Sequence, residues 1–551
     1  MALPFGLLAS YPRSVRHPQP HTLVVSQTLS RLRAALSLLV HPRKLWREHR
    51  RVALALIGVV IVGIAGVIVA WQELKRPADV HNENAIRHFK PEPPKEAPKP
   101  KRGEAPRTVN WPMYGLNPQR TRYLPARGVK PPFHKLWRYT QRPLLEFPPI
   151  FVGGVLYAVN NSGFAFALDA RTGARLWERR IGRLNASSPA YSRHRLYIVN
   201  LVPGHIVKLD AANGRIIWKK RLPGRAESSP VVVGNSVYFG CEDGKLYSVS
   251  TVNGHVRWAT QLSGPVKAAP AYYGGRLFVG DYGGSMNAVD AQTGKLIWST
   301  GSLGTGISGG QFYSTPAVAF GRVYAGNNDD RVYSFDISDG ELAWTYSTGG
   351  YAYSAPTVAS TKHSPPTVYI GSFDGNIYAL NAKNGEVRWS RSAGGQVVGS
   401  LSAIGEIVYV ANFTNQTTTG FMMRSGRKVF SYPKGTYTPI ISDGQNLYLT
   451  GYSSITKLAP TRPKPARISN NFAAPKPRFP AHALGKGISN GFVAPAVKAL
   501  DLTPRQRRRL RQMTPARRRA AIRVLRRRAV AAAGAARRAH RRETARREGA
   551  R

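Results

Sequence analysis

Ala288-Val289-Asp290-Ala291-Gln292-Thr293-Gly294-Lys295-Leu296-Ile297-Trp298 decides the fold, because the chain keeps returning to it. Ala167-Leu168-Asp169-Ala170-Arg171-Thr172-Gly173-Ala174-Arg175-Leu176-Trp177 is a second copy. The tryptophans Trp137, Trp177, Trp218, Trp258, Trp298, Trp344 and Trp389 follow one another at intervals of 40 to 46 residues, and Phe430 takes the next place. A glycine stands four residues before each of the last seven: Gly173, Gly214, Gly254, Gly294, Gly340, Gly385 and Gly426. A unit of about 40 residues repeated this often marks an array or a propeller.

Each unit reads as four short strands. In Val237 to Val249 two β-rich runs flank Asp243-Gly244, a hairpin signal because a tight turn needs positive φ. Asp374-Gly375 and Gly283-Gly284 hold the same place in other copies, with Ser162-Gly163 close by. Asp169-Ala170-Arg171-Thr172-Gly173 is a second turn, in which Asp bonds the backbone ahead and Gly closes the loop. The strand after it ends in the tryptophan. Every copy but the seventh opens on a proline, at Pro149, Pro189, Pro230, Pro270, Pro316, Pro356 and Pro439. Four antiparallel strands make one propeller blade. Seven units run from Pro149 to Phe430, and Pro439 to Leu458 supplies three strands of an eighth. Phe133-His134-Lys135-Leu136-Trp137 is a lone fourth strand, so joining the two ends closes an all-β ring of eight blades. Blade seven departs most: Phe430 replaces Trp, and Asn415-Gln416-Thr417-Thr418-Thr419 replaces the usual hairpin turn.

The two copies quoted first resemble the repeat of pyrroloquinoline quinone (PQQ) enzymes, over roughly residues 109–460. That resemblance implies an eight-bladed propeller, shared by quinoprotein dehydrogenases and by non-enzymatic relatives such as the scaffold lipoprotein of bacterial outer-membrane assembly. It is specific for fold and weak for activity, since one fold hosts many functions. The tryptophan ring is expected to dock on the neighbouring blade, and the Gly and Asp positions are expected to be turn chemistry. No G-x-x-x-x-G-K-[ST] phosphate loop occurs.

Val52 to Ala70 is a run of nineteen uncharged, mostly apolar residues closed by Trp71. A stretch of about twenty such residues spans a bilayer as a helix. Arg33, Arg43, Lys44, Arg47, Arg50 and Arg51 precede it, against Lys75, Arg76, Arg87 and Lys90 after it. That excess places the N-terminus in the cytoplasm and the propeller outside. The expected organisation is a basic cytoplasmic segment (1–51), a transmembrane helix (52–71), a Pro- and charge-rich linker (72–108), the propeller (109–460), a flexible linker (461–500) and an Arg-rich tail (501–551). The protein is expected at the cell membrane, as a single-pass monomer.

The tail carries nineteen arginines against Asp501, Glu543 and Glu548, with runs at Arg507-Arg508-Arg509, Arg517-Arg518-Arg519 and Arg526-Arg527-Arg528. Alanines and leucines between them make a helix compatible. Such density suits a polyanion partner, either anionic lipid or an envelope polymer. Nucleic acid becomes the expected partner only if the topology is reversed, and without aromatics in the tail base stacking is not indicated. The net charge of +52 points the same way.

The sequence leans against an enzyme and names no catalytic or metal-binding residue. The resemblance implies that quinoprotein alcohol dehydrogenases hold PQQ under a ring of two adjacent bonded cysteines, with an Asp base and calcium. This chain has one cysteine, Cys241. Asp169, Asp210, Asp290 and Asp336 share one turn position, whereas Asp281, Asp329 and Asp330 are less readily assigned to turns. The histidines form no zinc pair. Gly306-Ile307-Ser308-Gly309-Gly310 and Gly487-Ile488-Ser489-Asn490-Gly491 match G-x-S-x-G by letter, but neither has the strand–turn–helix setting of a nucleophile elbow. The expected function is a membrane-anchored propeller acting as a protein-binding scaffold, with no cofactor. The alternatives are a quinone-dependent oxidoreductase using PQQ with Ca²⁺, and a polyanion binder acting through the tail.

Overall fold

A computed structural model describes parts of 54–66 together with residues 77–92, 108–305, 309–437 and 440–461. The basic N-terminal segment, the linker 462–500, the Arg-rich tail and both serine-containing glycine motifs lie outside these residues, wholly or in part. Among the described residues eight sheets are present, each built on four antiparallel strands. Blade one spans Ile150–Arg180, and blades two to seven follow in chain order up to Tyr432. Blade eight takes Ile441–Ser442, Leu447–Thr450 and Ser454–Pro460 from one end of the propeller and Phe133–Thr140 from the other. Phe133 pairs with Pro460 and Thr140 with Ser454, which closes the ring as expected.

The repeat motif builds its turn by local hydrogen bonds. Asp169 Oδ1 accepts from the Arg171 amide (2.9 Å), the Thr172 amide (2.7 Å) and the Thr172 hydroxyl (3.0 Å). Gly173 then turns at φ +75°, where a side chain would be strained. A Cβ there would also lie 2.7 Å from the Trp137 ring, so glycine is needed twice over.

The tryptophans sit at the junctions between blades. Trp137, Trp177, Trp218, Trp258, Trp298, Trp344 and Trp389 press on Gly173, Gly214, Gly254, Gly294, Gly340, Gly385 and Gly426 of the next blade. Each indole N–H donates to a carbonyl of that same turn, from Ala170 for Trp137 to Met423 for Trp389. Each ring also packs on an aromatic of its own blade, as Trp344 does on Tyr324 at 5.9 Å. Burial is uneven: Trp298, Trp344 and Trp389 are buried and the other four are half-buried.

Three differences from the sequence reading have physical causes. Thr417–Met422 is a strand, so the blade-seven turn is Phe413 to Gln416, with Gln416 at φ +49°. Blade seven also gains a fifth strand, Tyr123–Leu124, which pairs in parallel with Ala403 and Ile404. Finally, residues 77–92 within the expected linker lie against blade five. Asn82 N donates to Ala343 O (2.9 Å) and Thr345 N to Val80 O (3.0 Å), covering an edge strand that would otherwise be open. Asn82 Oδ1 then caps the helix Glu83–Arg87, and Phe89 packs on Phe320 at 5.7 Å.

The described residues between 54 and 66 are helical, and Leu54, Ile57, Val59 to Val62 and Ile64 are exposed. Among the described residues no helix is long and apolar enough to cross a membrane. Cys241 is a buried core residue whose thiol burial pushes up to about 11, far from a nucleophile's range.

Candidate functional site: the mouth of the central channel

The innermost strands surround a channel, and one stretch of chain closes it. Residues 109–124 visit every blade in turn. Val109 N donates to Asp443 O of blade eight (2.7 Å), and Trp111 pairs with Phe151 of blade one. The amides of Tyr191, Tyr272, Val318, Val358 and Ala403 donate to the carbonyls of Pro112, Pro118, Gln119, Thr121 and Arg122. Blade three is reached by a side chain, since Arg120 Nη2 donates to Ser229 O (2.9 Å) and Pro230 O (3.1 Å).

Two arginines anchor this plug. Arg120 and Arg122 are fully buried, and both stand at positive φ. Arg120 also donates to Pro270 O (3.0 Å) and to Tyr114 O, and Arg122 to Pro356 O (3.0 Å) and Arg120 O. The acceptors are backbone carbonyls, several of them on the prolines that open each blade. Proline suits the first position of a strand, where no ladder N–H is required. Burial, and then the Arg122 charge, pull the Arg120 guanidinium down to about 9, and burial lowers Arg122 too. The Arg122 guanidinium lies 4.9 Å over the Tyr114 ring, so the plug ends in an aromatic lid.

Above Tyr114 the channel opens as a cavity of about 120 Å³. Its wall is set by register. Glu146, Glu227, Lys267, Tyr313 and Tyr353 each stand three residues before the opening proline of their blade, and all five line the cavity, with Tyr437 from blade eight. Below them a serine ring ties neighbouring blades: Ser228 Oγ donates to Ala268 O (2.8 Å) and Ser314 Oγ to Ser354 O (3.0 Å).

Lys267 sits between Glu227 (2.8 Å) and Glu242 (3.5 Å), with its ammonium 5.3 Å from the Tyr282 ring centroid. Burial would lower that ammonium, but the bond and charge of Glu227, then Glu242, hold it above its usual value. Glu146 accepts from Asn161 Nδ2 (3.2 Å) and has no ion-pair partner among the described residues. Burial, then the charge of Glu227, push its carboxyl up. Tyr313 and Tyr353 meet edge to face at 5.6 Å, and Tyr353 meets Phe373 at 4.9 Å.

Sequence reasoning located the staples and turns but missed this wall, although position three before each opening proline was a readable signal. It also missed the plug, whose signal was two arginines in a stretch short of carboxylates. The less readily assigned acids are held by neighbours. Asp281 accepts from Ser263 (2.6 Å) and Asn287 (2.8 Å), and Asp329 from Tyr333 and the Gly304 amide. Among the described residues no three His, Cys, Asp or Glu side chains group as metal ligands. PQQ is a tricarboxylate, and the one lysine of the cavity is already paired with Glu227 and Glu242, so among the described residues its wall offers those carboxylates no free cation and no grouped Ca²⁺ ligands.

The family described as outer membrane protein assembly factor BamB matches residues 134–270 and 260–461. The chain belongs to this family of PQQ-like propellers. Its fold is similar to BamB from Moraxella catarrhalis, at 17% identity and TM-score 0.51, covering 60% of this chain and 100% of that one. It is also similar to a europium-containing methanol dehydrogenase, at 11% identity and TM-score 0.53, covering 64% and 98%. A quinohemoprotein alcohol dehydrogenase from Pseudomonas putida HK5 matches at 14% identity and TM-score 0.54, covering 71% and 84%. Among curated proteins no relative matches. At these identities the likeness shows the fold, which scaffold and dehydrogenase share.

Proposed function

We propose that this protein is a membrane-anchored scaffold whose extracytoplasmic propeller binds protein partners, without a cofactor. The observation that carries the reading is the plugged channel. Arg120 and Arg122 bind backbone carbonyls of blades three, four and six, and Tyr114 caps them. What remains of the channel at this mouth is a cavity of about 120 Å³, smaller than the ~300–1,000 Å³ of ordinary small-molecule sites. A closed ring with a shallow mouth suits capture of a protein surface better than turnover of a buried substrate. The basic asymmetry around residues 52–71 supports a propeller outside the membrane.

The test is crosslinking in cells from photoreactive residues placed around the mouth, with a reporter fused after Pro460. Discrete crosslinked protein species and an export-dependent reporter signal are expected. A cytoplasmic reporter signal, or PQQ uptake with quinone absorbance, would sink the reading. The nineteen arginines of the tail support a second, separate activity, binding of anionic lipid or envelope polymer. Loss of salt-sensitive vesicle binding on removal of residues 501–551 is its test.

A further inference from the structure

The mouth of the channel contradicts the rest of the molecule in charge. The chain carries +52, yet the cavity wall holds Glu146 and Glu227 at the sides of a tyrosine arc. Lys267 shows what this setting accepts, for its ammonium lies over an aromatic face with carboxylates at 2.8 and 3.5 Å. Glu146 offers the same chemistry on the far side of the cavity with no cation of its own among the described residues. Tyr313, Tyr353 and Tyr437 line the same cavity, and a cation within about 6 Å of an aromatic face is attracted by the ring quadrupole.

We propose that the mouth is a recognition pocket for one cationic side chain, an arginine or lysine presented by the bound protein, gripped by Glu146 and the Tyr313–Tyr353 pair. This rests on the scaffold reading and names the chemistry of its partner. Size agrees: about 120 Å³ suits one long side chain entering from an extended segment. The floor agrees too. Tyr114 separates the cavity from Arg120 and Arg122, whose charges would repel a deeper cation. The cation therefore stops at the wall, beside the carboxylates.

The experiment uses the full chain in detergent micelles and a blocked Gly-Arg-Gly peptide. Its lysine counterpart and its citrulline counterpart, neutral and of the same shape, are the comparisons. Calorimetry should show saturable binding of the arginine and lysine peptides, with citrulline at least about tenfold weaker, since a charge-assisted bond is lost. Glu146→Gln should weaken arginine binding by about tenfold or more without lowering the melting temperature, because no ion pair is broken. Tyr353→Leu should weaken it by about threefold or more, and Tyr353→Phe should keep it. Equal binding of citrulline, or undiminished affinity in Glu146→Gln, would overturn the proposal. If no peptide binds but the crosslinked species persist, the pocket is wrong and the scaffold reading stands. If both are absent, both fall.

Discussion

Seven blade junctions and the eighth solve the same packing problem with different parts. At the junction of blades five and six, Trp344 is buried on Gly385, its indole donates to Ala382 O (3.2 Å), and Tyr324 donates to the same carbonyl (2.9 Å). At the junction of blades seven and eight none of that exists. The turn that should receive the ring would join Pro460 to Phe133, which are opposite ends of the propeller. With no turn glycine and no turn carbonyl, Phe430 packs edge to face on Phe133 at 5.4 Å instead. Tyr409, the counterpart of Tyr324, keeps a buried hydroxyl without a partner among the described residues, and burial raises its pKa. The lesson is that closing a ring with strands from the two ends of the propeller costs one staple, and that Phe at 430 follows from topology. The indole N–H would find no acceptor there, so the ring without one is the better fit.

The strongest way to break this comparison is to remove its closing strand. Deleting residues 109–140 takes away both Phe133–Thr140 and the channel plug, so aggregation or loss of the cooperative melt is expected. A soluble protein with an unchanged melting curve would refute the closure. Next comes Trp344→Ala, which should cost ~3–5 kcal/mol in denaturant unfolding, as for a buried large aromatic. The half-buried Trp258→Ala should cost less, about 2–3 kcal/mol, and Phe430→Ala no more than that. Equal costs at positions 344 and 430 would erase the distinction between junctions.

The hydroxyl pair sharpens the comparison at lower cost. Tyr324→Phe removes a made hydrogen bond and should lose about 1 kcal/mol. Tyr409→Phe removes an unpaired buried hydroxyl and should be neutral or stabilising by ~1 kcal/mol. The same sign at both sites would mean that the landing carbonyl does not matter. The smallest effect is acidic. Hydrogen bonds from the Thr172 and Thr293 amides lead the factors that hold the Asp169 and Asp290 carboxyls below the usual range. A depressed carboxylate stabilises fully above its unfolded value of about 3.9 and loses that contribution as pH falls through the lower folded value. The melting temperature should therefore drop on acidification below about pH 4, and less so in Asp169→Asn. No change in that slope would show these turns to be electrostatically idle.

The architecture was legible because a propeller writes its period into the chain. Tryptophan spacing, the Asp-x-x-Thr-Gly turn and the opening prolines are local demands, and each depends only on its own blade and the next. The lone strand at Phe133 was legible for the same reason, since it was half of a repeat without its other half. The mouth was not legible in that way. Glu146, Glu227, Lys267, Tyr313 and Tyr353 are far apart in sequence and share only a register, and register gives a position without saying what faces it. The plug was hidden more deeply, because residues 109–124 follow no repeat.

What the amino-acid sequence determined by itself is the blade and the number of blades, through turn chemistry and the 40-residue period of burial. What only the tertiary structure decided is what the ring encloses. Arg120 and Arg122 became a plug because carbonyls from blades far apart in sequence converge on the channel axis, and a buried guanidinium is stable only where such acceptors meet it. The same convergence sets the glutamates and tyrosines of the mouth around one cavity, a charge pattern opposite to that of the chain as a whole.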